Sequence, residues 1–246
     1  NASDLKIILQ SLKDFLTAQA IESQRLYLPI MAKIVKAIEI VWFASTRTKK
    51  LSFEMFYHDT INKVIDIQVD YQIWASAEDN WCYARNAPWL LNADTKTRFL
   101  RANSRQLMNQ LQMDAMRTAT RYWGVTPVVT PTDLFLIIEV DRNNVLLDTF
   151  KAIAQLKNPD LELKKPLKVL FKDEPGVDEG GVQREFFQLI VEELLDKERD
   201  FFIPKNDIYW FSTSSTDPAA LQAYYLTGII LGLAIFNGNL LNVRFP

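Results

Sequence analysis

A single cysteine and a single histidine among 246 residues remove several kinds of chemistry at once. One cysteine cannot form an internal disulfide, and one histidine beside it cannot build a zinc module of the Cys/His type. Seven glycines are few for this length, so a fold dominated by glycine-rich turns is excluded. No apolar run approaches the ~20 residues of a membrane-crossing helix; the longest, Leu226–Phe236, has eleven. No internal repeat or low-complexity tract is seen, and no secretory leader is visible in a sequence that opens on Asn1 rather than methionine. A net charge of −2 exerts no global pull toward nucleic acid or anionic lipid. The balance is uneven, with 16 basic against 12 acidic side chains over 1–123 and 12 against 18 over 124–246.

What is present is the mixture of a soluble globular protein, 48% hydrophobic and 24% charged. The unpaired Cys82 favours a reducing compartment, cytoplasm or nucleus. The chain opens on Asn1 and stops at Pro246 just after an apolar stretch, which reads as a piece of something longer.

Periodicity organises the rest. Leu5, Ile8, Leu12, Phe15, Leu16 and Ala20 have helical spacing behind a Ser3/Asp4 cap, and Ile30, Ile34, Ile38 and Val41 repeat it over 26–43. Polar residues 46–50 read as a connection, 51–74 as a helix with an irregular stretch, and 80–91 as an aromatic loop. Asn92 or Asp94 caps a long helix to about Tyr122, broken by Gly124, Pro127 and Pro131. Residues 134–140 and 167–171 are strands around a helix from about Val145 to Leu156. An acidic loop, 173–181, feeds a helix with the apolar stripe Val182, Phe186, Phe187, Ile190, Val191, Leu194 and Leu195. Asp207–Phe211 suits a short strand. The run at 226–236 is a core helix, in which the Gly228/Gly232 step allows close packing on a neighbour.

Few residues can carry chemistry. The turn at Asp178–Gly181 opens a helix as a phosphate site would, but Glu174, Asp178 and Glu179 would repel the anion and no Walker-type lysine follows. The same acids lack calcium-loop spacing. Cys82 sits between Trp81 and Tyr83, an apolar setting that raises a thiol pKa, so it reads as a buried small hydrophobe. His58 reads as a partly exposed helix or turn residue. Lys96, Arg98, Arg101 and Arg105, with Arg117 and Arg121, read as a solvated helix face, and nucleic acid is not expected.

The stretch 167–246 resembles HECT-type ubiquitin-protein ligases. The resemblance rests on the strand Leu167–Phe171, the loop and helix start from Glu174 through Asp178, Gly180, Gly181, Arg184, Glu185, Phe186 and Phe187, the aromatic strand 209–212 and the glycine-bearing helix. Residues 87–91 with Lys96 are similar to a preceding extension. Asp173 departs from the pattern, which often has glycine there. The resemblance implies an α+β fold, mostly helical with a few short strands, forming the large subdomain of the first HECT lobe over 126–246 behind a helical extension over 1–125. It also implies that the acceptor cysteine lies beyond Pro246, so that no catalytic residue, metal or cofactor is expected in this piece and Cys82 is not the nucleophile. Gly180 and Gly181 would seat the helix, Phe186 and Phe187 would anchor it, and Arg184 and Glu185 would fix the acidic loop. The implied partners are a ubiquitin-conjugating enzyme, ubiquitin and protein substrates, met through the full-length protein, with no membrane. A non-catalytic helical interaction module is the alternative.

Overall fold

The computed structural model describes every residue except 1, 24, 77, 79, 121–128, 175–178, 207, 213–217 and 246. Its contacts fall into two compact units, Asn1–Asn103 and Ser104–Pro246. The architecture is mostly helical with a few short strands, an α+β arrangement.

In the first unit, α1 (Ala2–Ser23) packs on α2 (Pro29–Thr48). The buried line of α1 is Leu9, Leu16 and Ala20, with Leu5 and Leu12 partly covered. Positions 5, 9, 12, 16 and 20 follow one helical stripe. Ile8 and Phe15, expected inside, lie beside it and are 48% and 49% exposed. Ser3 and Asp4 fall within the first turn of α1, not ahead of it. Pro29 opens α2 where its missing N–H costs nothing. The helix continues through Thr46–Thr48, which polar composition had assigned to a connection. Lys49, with φ of 51°, ends it by giving its N–H to the Ser45 carbonyl at 2.7 Å.

Short elements follow: a 3-10 turn (Phe53–Phe56), α3 (Asp59–Val64), α4 (Ile67–Ala75), α5 (Tyr83–Asn86) and a second 3-10 turn (Pro88–Leu90). Phe56, Ile61, Ile65, Tyr83, Trp89 and Leu90 from these segments share one core with α1 and α2. Trp42 and Trp89 stack there at 6.0 Å. Helix α6 (Ala93–Thr120) is then capped by Asn92, whose Oδ1 accepts the Thr95 N–H at 2.9 Å. The division between the two units falls within α6, ahead of position 125. Gly124 and Pro127 lie outside the described residues.

In the second unit a helical turn, α7 (Pro131–Leu134), takes up Leu134, which the sequence had suggested for the strand. Strands β1 (Leu136–Val140) and β2 (Leu167–Phe171) pair in parallel, from Leu136 opposite Leu167 to Val140 opposite Phe171. A parallel pair requires a long crossover, supplied by α8 (Val145–Ala154) and the single turn α9 (Pro159–Glu162). Helix α10 (Glu179–Leu194) packs on α8 and β2. Its Phe186, Phe187, Ile190 and Leu194 join Leu136, Ile138, Val140, Val169 and Phe171 in the core.

Strands β3 (Phe202–Lys205) and β4 (Ile208–Phe211) form an antiparallel hairpin. β3 escaped the sequence reading because Pro204 and Lys205 are poor strand residues; an edge tolerates a proline that has no ladder hydrogen to give. Helix α11 (Pro218–Phe236) buries Leu226, Ile230, Leu233 and Ala234. Gly228 and Gly232 lie on the opposite side, where an added Cβ would meet nothing within 4 Å. The close packing expected of this step is therefore not found among the described residues. Gly228→Ala and Gly232→Ala should each stabilise the second unit by up to ~1 kcal/mol, since alanine is the better helix former. Thermal melts of the two variants measure this, and a lowered melting temperature would contradict the open face. Gly238, with φ of 74°, does need its freedom. It lets Asn239 and Gly238 return their N–H groups to Ala234 and Ile235 and close α11. Among the described residues no helix is long and apolar enough to cross a membrane.

Candidate functional site: a charged clamp where the parallel strands end

Because Val140 faces Phe171 across the ladder, the turns leaving β1 and β2 emerge side by side. Ends of parallel strands are where such folds gather functional loops. Arg142 follows β1, and its guanidinium lies 4.4 Å from the centre of the Phe171 ring. One edge of the fork donates to both carboxylate oxygens of Glu174, with Nη2 to Oε2 at 2.9 Å. Nη1 and Nη2 also reach Glu185 at 2.6 and 3.1 Å. One planar side chain thus ties the β1 exit, the β2 exit and the first turns of α10 together, a bidentate geometry lysine could not supply.

Hydrogen bonds from Arg142 hold both glutamates below the usual carboxylate range, and the two acids push the guanidinium up. A second pair sits beside the first. Lys172 Nζ lies 3.0 Å from Asp148 Oδ2, which also accepts the Asp141 N–H at 3.1 Å. Lys172 lowers the Asp148 carboxyl, and Asp148 raises the lysine. Each of these groups meets an opposite charge, two cations serving three carboxylates. The cluster therefore holds loops in place and offers neither a proton donor nor a nucleophile.

Asp173 lies between Lys172 and Glu174 with φ of 62°. Glycine would adopt that left-handed backbone without strain. Aspartate tolerates it better than most side chains.

The residues singled out from sequence are dispersed around this clamp. Asp178 lies outside the described residues. Gly180 and Gly181 fall in the first turn of α10 and are exposed, with ordinary helical backbone. Phe186 and Phe187 are buried, their rings 5.1 Å apart and tilted 66°. Glu185 contacts the acidic loop through Arg142, whereas Arg184 is exposed and pairs with nothing among the described residues. Arg142 is not singled out by the sequence alone; its partners stand 32 and 43 residues away, beyond any local pattern. Gln183 was also missed as an anchor. Its Nε2 donates to the Leu167 carbonyl at 2.7 Å, while Asn237 Oδ1 accepts the Leu167 N–H at 3.0 Å.

Cys82, in the first unit, is fully buried, and burial pushes its thiol up. That is the opposite of an activated nucleophile. His58 is a correction: it is 1% exposed, not a surface residue. Its Nδ1 accepts the Ile61 N–H at 3.3 Å and caps α3. No hydrogen bond joins it to Cys82 among the described residues. Lys96 lies 5.5 Å from the Tyr57 ring centre, Arg98, Arg101 and Arg105 are exposed on α6, and Arg117 meets Asp114 at 3.6 Å. Arg121 lies outside the described residues. Among the described residues no group of three or more His, Cys, Asp or Glu could hold a metal ion.

With this geometry on hand, the relatives can be placed. Residues 188–246 match the family model for the HECT domain, a ubiquitin-transferase. The chain is a relative of the HECT-type ubiquitin-protein ligases and carries HECT-domain sequence. It is 28% identical to a protein named probable E3 ubiquitin-protein ligase HERC4 from Rattus norvegicus, over 98% of the chain and 24% of the relative. It is 30% identical to probable E3 ubiquitin-protein ligase HERC3 from Homo sapiens, over 86% and 21%. Probable E3 ubiquitin-protein ligase HUL4 from Eremothecium gossypii is 31% identical over 65% and 19%. The chain spans about a quarter of the length of the HERC4 relative.

If Arg142 is what orders the loop, Arg142→Met should raise amide exchange across 172–174 and 179–185 while leaving β1 protected. Glu174 and Glu185 are depressed in the folded state, so their contribution is present above the ordinary value of 4.5 and fades as pH falls through the depressed values. Exchange in the wild-type loop should therefore approach that of the variant at acidic pH. Equal exchange at neutral pH would contradict the clamp.

Proposed function

We propose that the chain is the scaffold part of a HECT ligase's first lobe, over 126–246, with a helical extension before it. The parent protein would accept ubiquitin from a conjugating enzyme on a cysteine outside this chain and pass it to substrate lysines. In that relay the acceptor thiolate attacks the thioester carbonyl and releases the conjugating enzyme's thiolate. A lysine amine then attacks the new thioester, forming an isopeptide bond and returning the cysteine.

The observation that carries the proposal is the sole cysteine. Cys82 is fully buried and its thiol is disfavoured as thiolate, so this chain's own residues offer no acceptor. What they do offer is rigidity: a two-strand sheet, α10 seated on it by Phe186 and Phe187, and loops tied by Arg142. Such a frame serves a relay by holding two reacting thiols at a fixed approach. A reducing cytoplasm or nucleus suits a protein whose one thiol is unpaired.

The chain is expected to be inactive by itself. Incubated with activating enzyme, conjugating enzyme, ubiquitin and ATP, it should form no adduct that thiol reductants remove. A reducible adduct on Cys82 would overturn the assignment.

A further inference from the structure

His58 stands at a junction that the proposed ligase role does not use. Its ring Nε2 lies 3.1 Å from the Lys13 carbonyl oxygen and 3.4 Å from Thr17 Oγ1, both on α1. Its Nδ1 lies 3.3 Å from the Ile61 nitrogen of α3. A carbonyl oxygen only accepts and a backbone N–H only donates. The hydrogen is therefore on Nε2 and the lone pair on Nδ1, and the neutral ring satisfies both neighbours. The backbone completes the joint: the His58 N–H reaches the Leu90 carbonyl at 3.0 Å, and Asn62 Nδ2 bonds the His58 and Leu90 carbonyls at 2.8 and 2.9 Å.

We propose that His58 is a proton-sensitive lock that joins α1 to the start of α3, and that protonation of its ring opens this joint. The only place for a second proton is Nδ1, where it would confront the Ile61 N–H and turn a cap into a repulsion. The charged groups around the ring come from two elements. Lys13 of α1 opposes a second cation, and its ammonium is itself held by the Met55 and Tyr57 carbonyls at 3.0 and 2.7 Å. Asp59 of α3 favours the cation, and Asp14 acts on Lys13 rather than on the ring. Burial outweighs Asp59 and pulls the imidazole below its ordinary 6.5. A buried histidine with a depressed pKa leaves stability intact above 6.5 and erodes it as pH falls from there toward the folded-state value.

Because His58 is the only histidine in the chain, its ring can be followed without assignment. Long-range proton–nitrogen spectra at pH 7.5 should show the Nε2–H form. On acidification the ring should remain neutral below pH 6.5 and then charge together with loss of amide protection in α1 and α3. In His58→Gln, a neutral donor and acceptor, that loss should move to lower pH by on the order of one unit. An Nδ1–H ring, a ring that titrates at or above 6.5, or charging that leaves α1 and α3 protected would overturn the lock. So would an unchanged midpoint in the variant. If the variant fails to fold, the wild-type tautomer and titration still decide the matter.

Discussion

Phe186→Ala lowers the stability of the Ser104–Pro246 unit by about 3–5 kcal/mol, the usual cost of removing a buried phenylalanine ring. The ring is 1% exposed and belongs to the cluster in which α10, β1, β2, α8 and α11 meet. Phe187, 2% exposed, packs edge-on against it and cannot fill both spaces. The cavity therefore opens between the sheet and the helix that Arg142 clamps, so loop order and core packing fail together. Urea denaturation followed by amide exchange in β1 and β2 measures the loss. A decrease below about 1.5 kcal/mol would mean that α10 is not the anchor of this unit.

The second large effect is expected in the other unit. Asp70 is fully buried, and its two carboxylate oxygens accept the N–H groups of Tyr83 and Ala84 at 2.8 and 2.9 Å. These are the first N–H groups of α5, so the carboxylate caps a helix from thirteen residues away. Tyr83 is itself fully buried and donates its hydroxyl to the Leu26 carbonyl at 3.2 Å. Asp70→Ala strips both donors of their partner in a place water does not reach. Hydrogen bonds to a charged group are worth about 1.5–3 kcal/mol each, and relief of the buried charge returns part of that, leaving a net loss of about 2–4 kcal/mol. Burial raises the Asp70 carboxyl, so its contribution is greatest below its ordinary 3.8 and declines as pH rises through the folded-state value. The variant should therefore lose less relative to wild type at neutral pH than at acidic pH. Exchange across 82–87 measures the loss, and an unchanged rate would refute the cap.

Elements whose signal lies within a few neighbouring residues were legible in the sequence. β2 is short, alternating and flanked by turn residues, and it was read at its true bounds, Leu167–Phe171. The apolar stripe of α10 repeats with helical period, and all its members are buried or partly buried. Period alone does not say which side of an apolar helix meets the core. Hence Ile8 and Phe15 of α1 lie outside its buried line, and the glycines of α11 face open space. Polar residues were the least legible. The partners of His58 on α1 stand 41 and 45 residues before it, and the carboxylates on Arg142 stand 32 and 43 after it. Only folding brings them together, so neither the burial of the one nor the pairing of the other leaves a mark in local spacing. Asp173 stands out in the sequence only as a departure from the glycine that the resemblance implies, and its left-handed backbone is one that only folding reveals.

The measurement that bears most directly on the proposed relay compares the full-length parent with its Cys82→Ala variant in the presence of activating enzyme, conjugating enzyme, ubiquitin and ATP. Non-reducing gels should show the same reducible ubiquitin adduct on both, because a fully buried thiol that burial holds protonated cannot receive the thioester. Loss of that adduct in the variant, with the wild-type adduct mapped to Cys82 and the variant still folded, would contradict the scaffold assignment.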